Sequence, residues 1–244
     1  LKKGKYLLIA LNDFNNNYQF DPDLEEIGFL KDFIEIPTKE EFNIEIFKEE
    51  MKFKSFKPFI ETKNKIGFGY RGSYNDIKIE LIDSFSNSFK SIITKNKETD
   101  TLNYWFSNIK YDSLRFIIKS NTQKDYYTLN YKEKEKDSLI ITPSENSNVQ
   151  LNDKFKLYSN IPIVNINNDL ISLRNKDSIS IPFETKIDKN NLDVVFDFEM
   201  LPNDEYNISL LPNALNDFLG SANDSLSYKF STRSRSDYGT LKLR

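Results

Sequence analysis

The 244-residue chain contains no cysteine and no histidine. It therefore cannot build a disulfide, a thiolate nucleophile, a Cys/His zinc site or a Ser-His-Asp triad. A cysteine-free chain is compatible with an oxidising compartment without requiring one. Gly 7 and Trp 1 are also scarce. Turns must then rest largely on Asn, which tolerates left-handed backbone best after glycine. No apolar run reaches the length of a membrane helix, and no signal peptide is visible. Lys+Arg 34 and Asp+Glu 37 nearly balance, with the signs interspersed, so no nucleic-acid partner is implied.

What the chain does have is Phe 20 and Tyr 13, and length enough to bury a sizeable core. Those residues suit strands. Lys5–Asn12 reads as a buried strand, followed by the carboxylate/amide loop Asp13–Gly28 and an alternating strand Phe42–Phe47. Lys52–Ile60 is a basic, aromatic connector that marks a boundary. Strands are then expected at Ile77–Ile82, Asp100–Phe106, Asp112–Ile118 and Tyr126–Tyr131. After the Lys/Glu-rich Lys132–Lys136, strands follow at Phe155–Leu157, Ile161–Ile163, Ser178–Phe183, Leu192–Phe198 and Tyr206–Leu211. Asp237–Leu243 reads as the first strand of a further domain. Three strands in residues 1–50 are too few for independent stability. The expectation is a fragment, with a targeting signal upstream of Leu1.

Leu210–Arg233 has the pattern of the closing hairpin of an immunoglobulin-like sandwich. Its wording, Leu210-Leu211-Pro212, Asn216-Asp217-Phe218-Leu219-Gly220 and Tyr228-Lys229-Phe230-Ser231-Thr232, resembles bacterial SbsA-type Ig-like modules. The stretch from Gly4 to Phe29 is similar to the last strands of carboxypeptidase-regulatory-like (transthyretin-like) domains in outer-membrane-associated proteins of Bacteroidota. Together these imply an all-β chain of tandem Ig-like β-sandwiches preceded by the C-terminal half of a transthyretin-like β-sandwich. The boundaries are 1–50, 51–136, 137–235 and 236–244. The resemblance further implies an extracytoplasmic lipoprotein at the outer membrane, held there only through an N-terminal lipid anchor outside this sequence. Its expected partners are other proteins of an outer-membrane assembly for barrel assembly, secretion or uptake.

The best chemical constellation is Asp13, Asn15, Asn17, Gln19, Asp21 and Glu25. Oxygen donors at alternating positions of a tight loop suit Ca²⁺, which takes six to eight oxygen ligands. Tyr18 stands where such loops carry glycine, and Glu25 comes one residue late. The competing reading is a solvated loop of Asx turns. The pairs Glu25/Glu26, Glu40/Glu41 and Glu49/Glu50 belong on solvated faces rather than in a glycosidase pair. Ser55-Phe56-Lys57 misses the Ser-x-x-Lys offset. Tyr104-Trp105-Phe106 with Phe68 and Tyr70 is either a core anchor or an exposed glycan-binding platform. With no histidine and no placed carboxylate pair, the function expected is a non-enzymatic scaffold. A glycan-binding accessory module is the alternative. Partner contacts are expected at the loops Asn213–Asn223 and Glu145–Asp153.

Overall fold

The computed structural model describes residues 2–22, 24–49, 53–84, 88–107, 110–121, 123–130, 132, 134–145 and 149–239. Glu50, Lys52, Tyr131, residues 146–148 of one expected contact loop, and Thr240–Leu243 lie outside the described residues. The chain is all-β, with two one-turn 3-10 segments among the described residues, at Asn168–Leu170 and Arg235–Asp237. It divides into two compact units. One comprises Leu1–Phe56, Tyr70–Glu80 and Phe116–Tyr126, the other Lys57–Gly69, Leu81–Arg115 and Tyr127–Arg244.

The N-terminal stretch forms β1 (Gly4–Tyr6), β2 (Ile9–Asn12), β3 (Glu26–Phe29) and β4 (Ile34–Ile36). β1 pairs with β4 and β2 with β3, giving two separate two-stranded sheets. The expected buried strand Lys5–Asn12 is thus broken in two, and Leu7 and Ile9 are exposed. No third layer covers them among the residues described in this stretch. Phe42–Phe47 is not a strand either. It runs extended past β3 and makes a single bridge, Phe47 to Ile27. Gly28 permits that approach, because a Cβ there would sit 2.4 Å from the Glu45 carbonyl oxygen.

The middle module contains β5 (Lys54–Ser55), β6 (Phe59–Thr62), β7 (Lys65–Arg71), β8 (Lys78–Leu81), β9 (Ser91–Lys95), β10 (Thr101–Phe106), β11 (Ser113–Lys119) and β12 (Lys124–Asn130). One sheet has the order β5-β7-β10-β9 with β6 also on β7, and the other β12-β11-β8. In Ig lettering these are A-B-E-D and G-F-C. The expected strands at 77–82, 100–106, 112–118 and 126–130 are present within a residue or two.

The C-terminal module repeats the arrangement. It consists of β13 (Ile141–Pro143), β14 (Lys156–Ser159), β15 (Ile163–Ile166), β16 (Ile171–Asn175), β17 (Glu184–Ile187), β18 (Asp193–Asp197), β19 (Glu205–Leu210), β20 (Leu215–Asp217) and β21 (Leu226–Ser231). Its sheets run β13-β14-β18-β17 and β16-β19-β21, again A-B-E-D and C-F-G, with β15-β20 as a small third pair. Between them lies a core containing Phe155, Leu157, Leu173, Phe196, Ile208 and Phe230. Phe155 stacks on Phe230 with centroids 4.1 Å apart. Ser178–Phe183, expected as a strand, makes only a single bridge back to β16, Ser180 to Arg174, with Ile179 exposed and Ile181 and Phe183 packed on the core, because the chain is there switching from β16 to β17. Of Ile161–Ile163 only Ile163 enters a strand, and Asp237 ends a 3-10 turn rather than opening a strand.

Tyr206 and Thr232 close one end of this sandwich. The Tyr206 hydroxyl, near the start of β19, accepts from the Leu201 N–H at 2.7 Å. This is the corner by which strand F of an Ig domain is tied to the preceding turn. The Thr232 hydroxyl donates to the Leu201 carbonyl at 2.6 Å and accepts from the Asp204 N–H at 3.1 Å. The threonine that ends the last strand is therefore a buried staple for the 201–204 turn.

Candidate functional site

The Asp13–Glu25 loop is organised by its own side chains. Asp13 accepts from the N–H groups of Asn17 (3.1 Å) and Tyr18 (2.8 Å), and the Asn15 carbonyl from that of Asn17 (3.1 Å). Asn17 accepts from the Gln19 N–H at 2.7 Å, and Asn15 donates to Asp21 at 3.1 Å. Glu25, only 1 % exposed, closes the loop from below, accepting from Phe14 N–H (3.1 Å) and Asp21 N–H (2.9 Å). Asn16 and Tyr18 both adopt positive φ, at 57° and 59°, so Tyr18 takes the backbone conformation that glycine favours. The structure brings Asp13, Asn15, Asn17, Asp21 and Glu25 into one hydrogen-bonded loop, while Gln19 joins through its backbone. Each carboxylate oxygen engaged by one N–H keeps a second lone pair, the capacity a calcium ion would draw on. Among the described residues, no group of three carboxylates converges closely enough to hold a metal ion.

The aromatic cluster is core. Trp105 is 1 % exposed, its indole N–H donating to the Thr94 hydroxyl at 3.0 Å, and Phe68, Tyr70, Tyr104 and Phe106 are buried too. In β10 the apolar residues run continuously from Leu102 to Phe106 around Asn103, and a strand covered on both faces offers no platform for a glycan. Burial pushes the Tyr104 hydroxyl above the usual tyrosine range, an effect that a hydrogen bond from Ser91 only partly offsets. Among the carboxylate pairs, Glu25 is engaged as described, and Glu40, Glu41 and Glu49 are exposed. Burial would raise the Asp83 carboxyl, but the hydrogen bonds and charge of Arg115 outweigh it and hold the group below the usual range. That direction is opposite to what a general acid needs. Ser55 donates its hydroxyl to Asp125 and is part of no nucleophile pair with Lys57.

The Asn213–Asn223 loop is firmly built rather than loose. Asn223, buried, accepts from Leu215 N–H at 2.7 Å and donates to the Leu211 carbonyl at 2.9 Å. Asp217 accepts from Ser221 N–H at 2.7 Å, and β20 within the loop pairs with β15. In the other expected contact loop, Val149 pairs in parallel with Thr232 and is buried.

A feature with no sequence signal is the junction between the β9–β10 turn and the C-terminal sandwich. Lys97 reaches the Asp193 carboxylate at the head of β18 and lies over the Tyr158 ring, 4.1 Å from its centroid. The Asp193 side chain is 10 % exposed. Lys95 N–H donates to the Asn190 side chain at 3.3 Å. The segment leading out of the middle module is tied back as well. Lys63 N–H donates to the Glu135 carbonyl at 3.0 Å, and the Thr62 hydroxyl to Asp137 at 2.8 Å. Asp193 is 96 residues from Lys97, so no local spacing announces the pair.

No family model matches the chain, and no characterised protein sequence does. Solved structures of Ig type do resemble it. The surface-layer protein SbsC, domains 4–9, has 6 % identity and a TM-score of 0.31 over 85 % of this chain and 34 % of that one. The I9-I11 tandem from titin has 11 % identity and a TM-score of 0.22, covering 75 % of this chain and 66 % of that one. A chimeric titin Z1Z2 has 6 % identity and a TM-score of 0.26, covering 75 % and 96 %. The chain thus spans about a third of the SbsC fragment. The Ig assignment itself rests on the A-B-E-D and C-F-G strand orders above.

Proposed function

We propose that this chain is a non-enzymatic scaffold whose tandem Ig-like modules hold partner proteins in a larger outer-membrane assembly. The observation that carries the reading is the junction. An ion pair, a cation–π contact and a backbone hydrogen bond fasten the β9–β10 turn to the C-terminal sandwich, and the intervening segment is pinned. A fastened junction suits a spacer, whereas a loose linker is the default between domains. The sandwich interior is filled by Phe, Leu and Ile, which leaves edges and loops for recognition.

The finer parts belong to the same proposal. They are a lipid-anchored protein of Bacteroidota, extracytoplasmic at the outer membrane, with residues 1–50 as the end of a transthyretin-like domain. They draw on the wording of Gly4–Phe29 and Leu210–Thr232. A structural calcium ion in the Asp13–Glu25 loop is supported by that loop's oxygen-rich composition. Melting in chelator against millimolar calcium tests it, with a higher Tm in calcium expected and lost in Asp21→Ala.

The scaffold itself is tested by affinity purification from native membranes, followed by mass spectrometry. Stable co-purification of outer-membrane proteins is expected, and substitutions on the exposed side of 213–223 should weaken it without lowering Tm. Turnover of a glycan or peptide by the purified chain, abolished by a single Glu→Gln change, would overturn it.

A further inference from the structure

A phrase of the sequence recurs that the scaffold reading leaves unused. An Asp, then Ser or Thr, then a branched aliphatic residue stands at Asp100-Thr101-Leu102, Asp112-Ser113-Leu114, Asp137-Ser138-Leu139, Asp177-Ser178-Ile179 and Asp224-Ser225-Leu226. Asp and Ser side chains ordinarily bond back to nearby N–H groups and so shape a turn. Elsewhere this chain does so. The Ser144 hydroxyl accepts from Lys156 N–H at 3.2 Å, that of Ser234 from Ser236 N–H at 3.3 Å, and Asp188 from Leu192 N–H at 3.0 Å. In the recurring phrase the hydroxyl takes no such part. Among the described residues, Thr101, Ser113, Ser138, Ser178 and Ser225 make no side-chain hydrogen bond. The carboxylates that are engaged look elsewhere, Asp100 to Lys95 and Asp137 to Thr62.

The fold explains how the hydroxyl is presented. Thr101 opens β10, Ser113 opens β11, and Ser225 directly precedes β21. Leu102 and Leu114 are buried, and Leu139 and Leu226 pack on the C-terminal core. Successive residues of an extended chain point to opposite sides. The aliphatic residue therefore anchors inward and turns the hydroxyl before it outward. Ser113, Ser138 and Ser225 are exposed in this way, and Thr101 is half-buried. Ser178 reaches solvent by a different route, at φ 63° in the turn after β16, with Ile179 exposed as well.

We propose that these hydroxyls are acceptors for O-linked sugars, and that the Asp before each is what a glycosyltransferase reads. The donor is a sugar carried on a diphosphate. The Ser or Thr oxygen attacks the anomeric carbon of that sugar and forms the new C–O bond. The hydroxyl proton passes to a base of the transferase, and the diphosphate departs with the electron pair of the bond that breaks. A sugar fits these positions better than a phosphate. Phosphorylation would set about −1.5 to −2 charges directly beside each Asp, where like charges repel. A neutral sugar adds bulk and hydroxyls to an exposed surface without that cost.

This goes beyond the scaffold reading and is tested apart from it, since bare serines would leave co-purification untouched. The protein purified from the cells that make it is compared with the same chain made in a heterologous cytoplasm, by intact mass and by electron-transfer fragmentation. The native chain is expected to be heavier by whole sugar residues, placed on Ser113, Ser138, Ser178 and Ser225. Ser172 and Ser180 are the internal controls. Both are exposed and followed by an aliphatic residue, but each is preceded by Ile, and both should be bare. Asp224→Asn, expressed in the native cells, keeps Ser225 and should lose the sugar there, with Tm of the unmodified chain unchanged by the substitution. Bare serines at all four positions in the native protein would overturn the proposal. So would sugars on Ser172 and Ser180 as well, phosphate in place of sugar, or a Ser225 sugar that survives Asp224→Asn.

Discussion

Residues 2–49 and the C-terminal sandwich are held together by different physics. In the first, the buried residues are Glu25 and Gly28, while Phe14, Tyr18, Leu24, Phe29 and Phe33 are exposed. Order there comes from side chains of Asp, Asn and Glu bonding to nearby N–H groups. In the second, a continuous core excludes water, and polar groups such as Tyr206, Thr232 and Asn223 work at its margins. Local hydrogen bonds contribute about 1 kcal/mol each because water competes for both partners. Buried aromatic and aliphatic groups contribute about 1.5–3 kcal/mol apiece. A region of the first kind takes its shape from its surroundings; one of the second kind makes its own.

The sharpest way to break this comparison is excision. Residues 137–235 alone are expected to unfold in one cooperative urea transition, and residues 1–50 alone in none. A sigmoidal, two-state transition in the short segment would erase the distinction. Next comes truncation of a single ring. Phe155→Ala should cost about 3–5 kcal/mol in urea titration of the C-terminal sandwich, since it empties a fully buried site against Phe196 and Phe230. Phe14→Ala, at an 80 % exposed position, should stay within about 0.5 kcal/mol.

A smaller effect probes a close-packed spot of the N-terminal stretch. Gly28→Ala places a Cβ against the Glu45 carbonyl, and backbone cannot step aside as a side-chain tip can. A cost of about 1–3 kcal/mol is expected, read as faster hydrogen exchange at Ile27 and Phe47. The smallest effect is alkaline. Burial raises the Tyr206 and Tyr228 hydroxyls above the ordinary tyrosine value. The folded sandwich therefore keeps protons that the unfolded chain loses first. Their contribution is fully present below about pH 10 and fades as the pH climbs through the raised values. Tyr206→Phe and Tyr228→Phe should each flatten that alkaline decline in Tm.

The strands that sequence reading located are those rich in residues that a core buries, such as Asp100–Phe106, Asp112–Ile118 and Leu192–Phe198. Apolar alternation also predicts strands at Phe42–Phe47 and Ser178–Phe183, yet each makes one bridge, Phe47 to Ile27 and Ser180 to Arg174, although Ile181 and Phe183 pack on the core. Pairing across the sheet, which alternation alone does not supply, decides the difference. The closing hairpin was legible in Leu210–Arg233, but β20 was not, because its three residues are fixed by β15 and by Asn223. The oxygen-rich loop was visible as composition and its internal bonding followed from Asx chemistry. The pairing of Lys97 with Asp193 was invisible, because only the fold brings such distant residues together.

The Val149–Thr232 bridge also has a mechanical meaning. A chain pulled from its two ends loads parallel neighbouring strands in shear, so that the bonds across Val149, Ser231 and Arg233 resist together rather than peeling one by one. Among the described residues, the middle module has one backbone bond, Lys63 N–H to the Glu135 carbonyl, between the end of β6 and the chain after β12. Under tension it should yield before the C-terminal sandwich, as two separate force peaks in single-molecule pulling. Simultaneous rupture of both modules would refute the ranking.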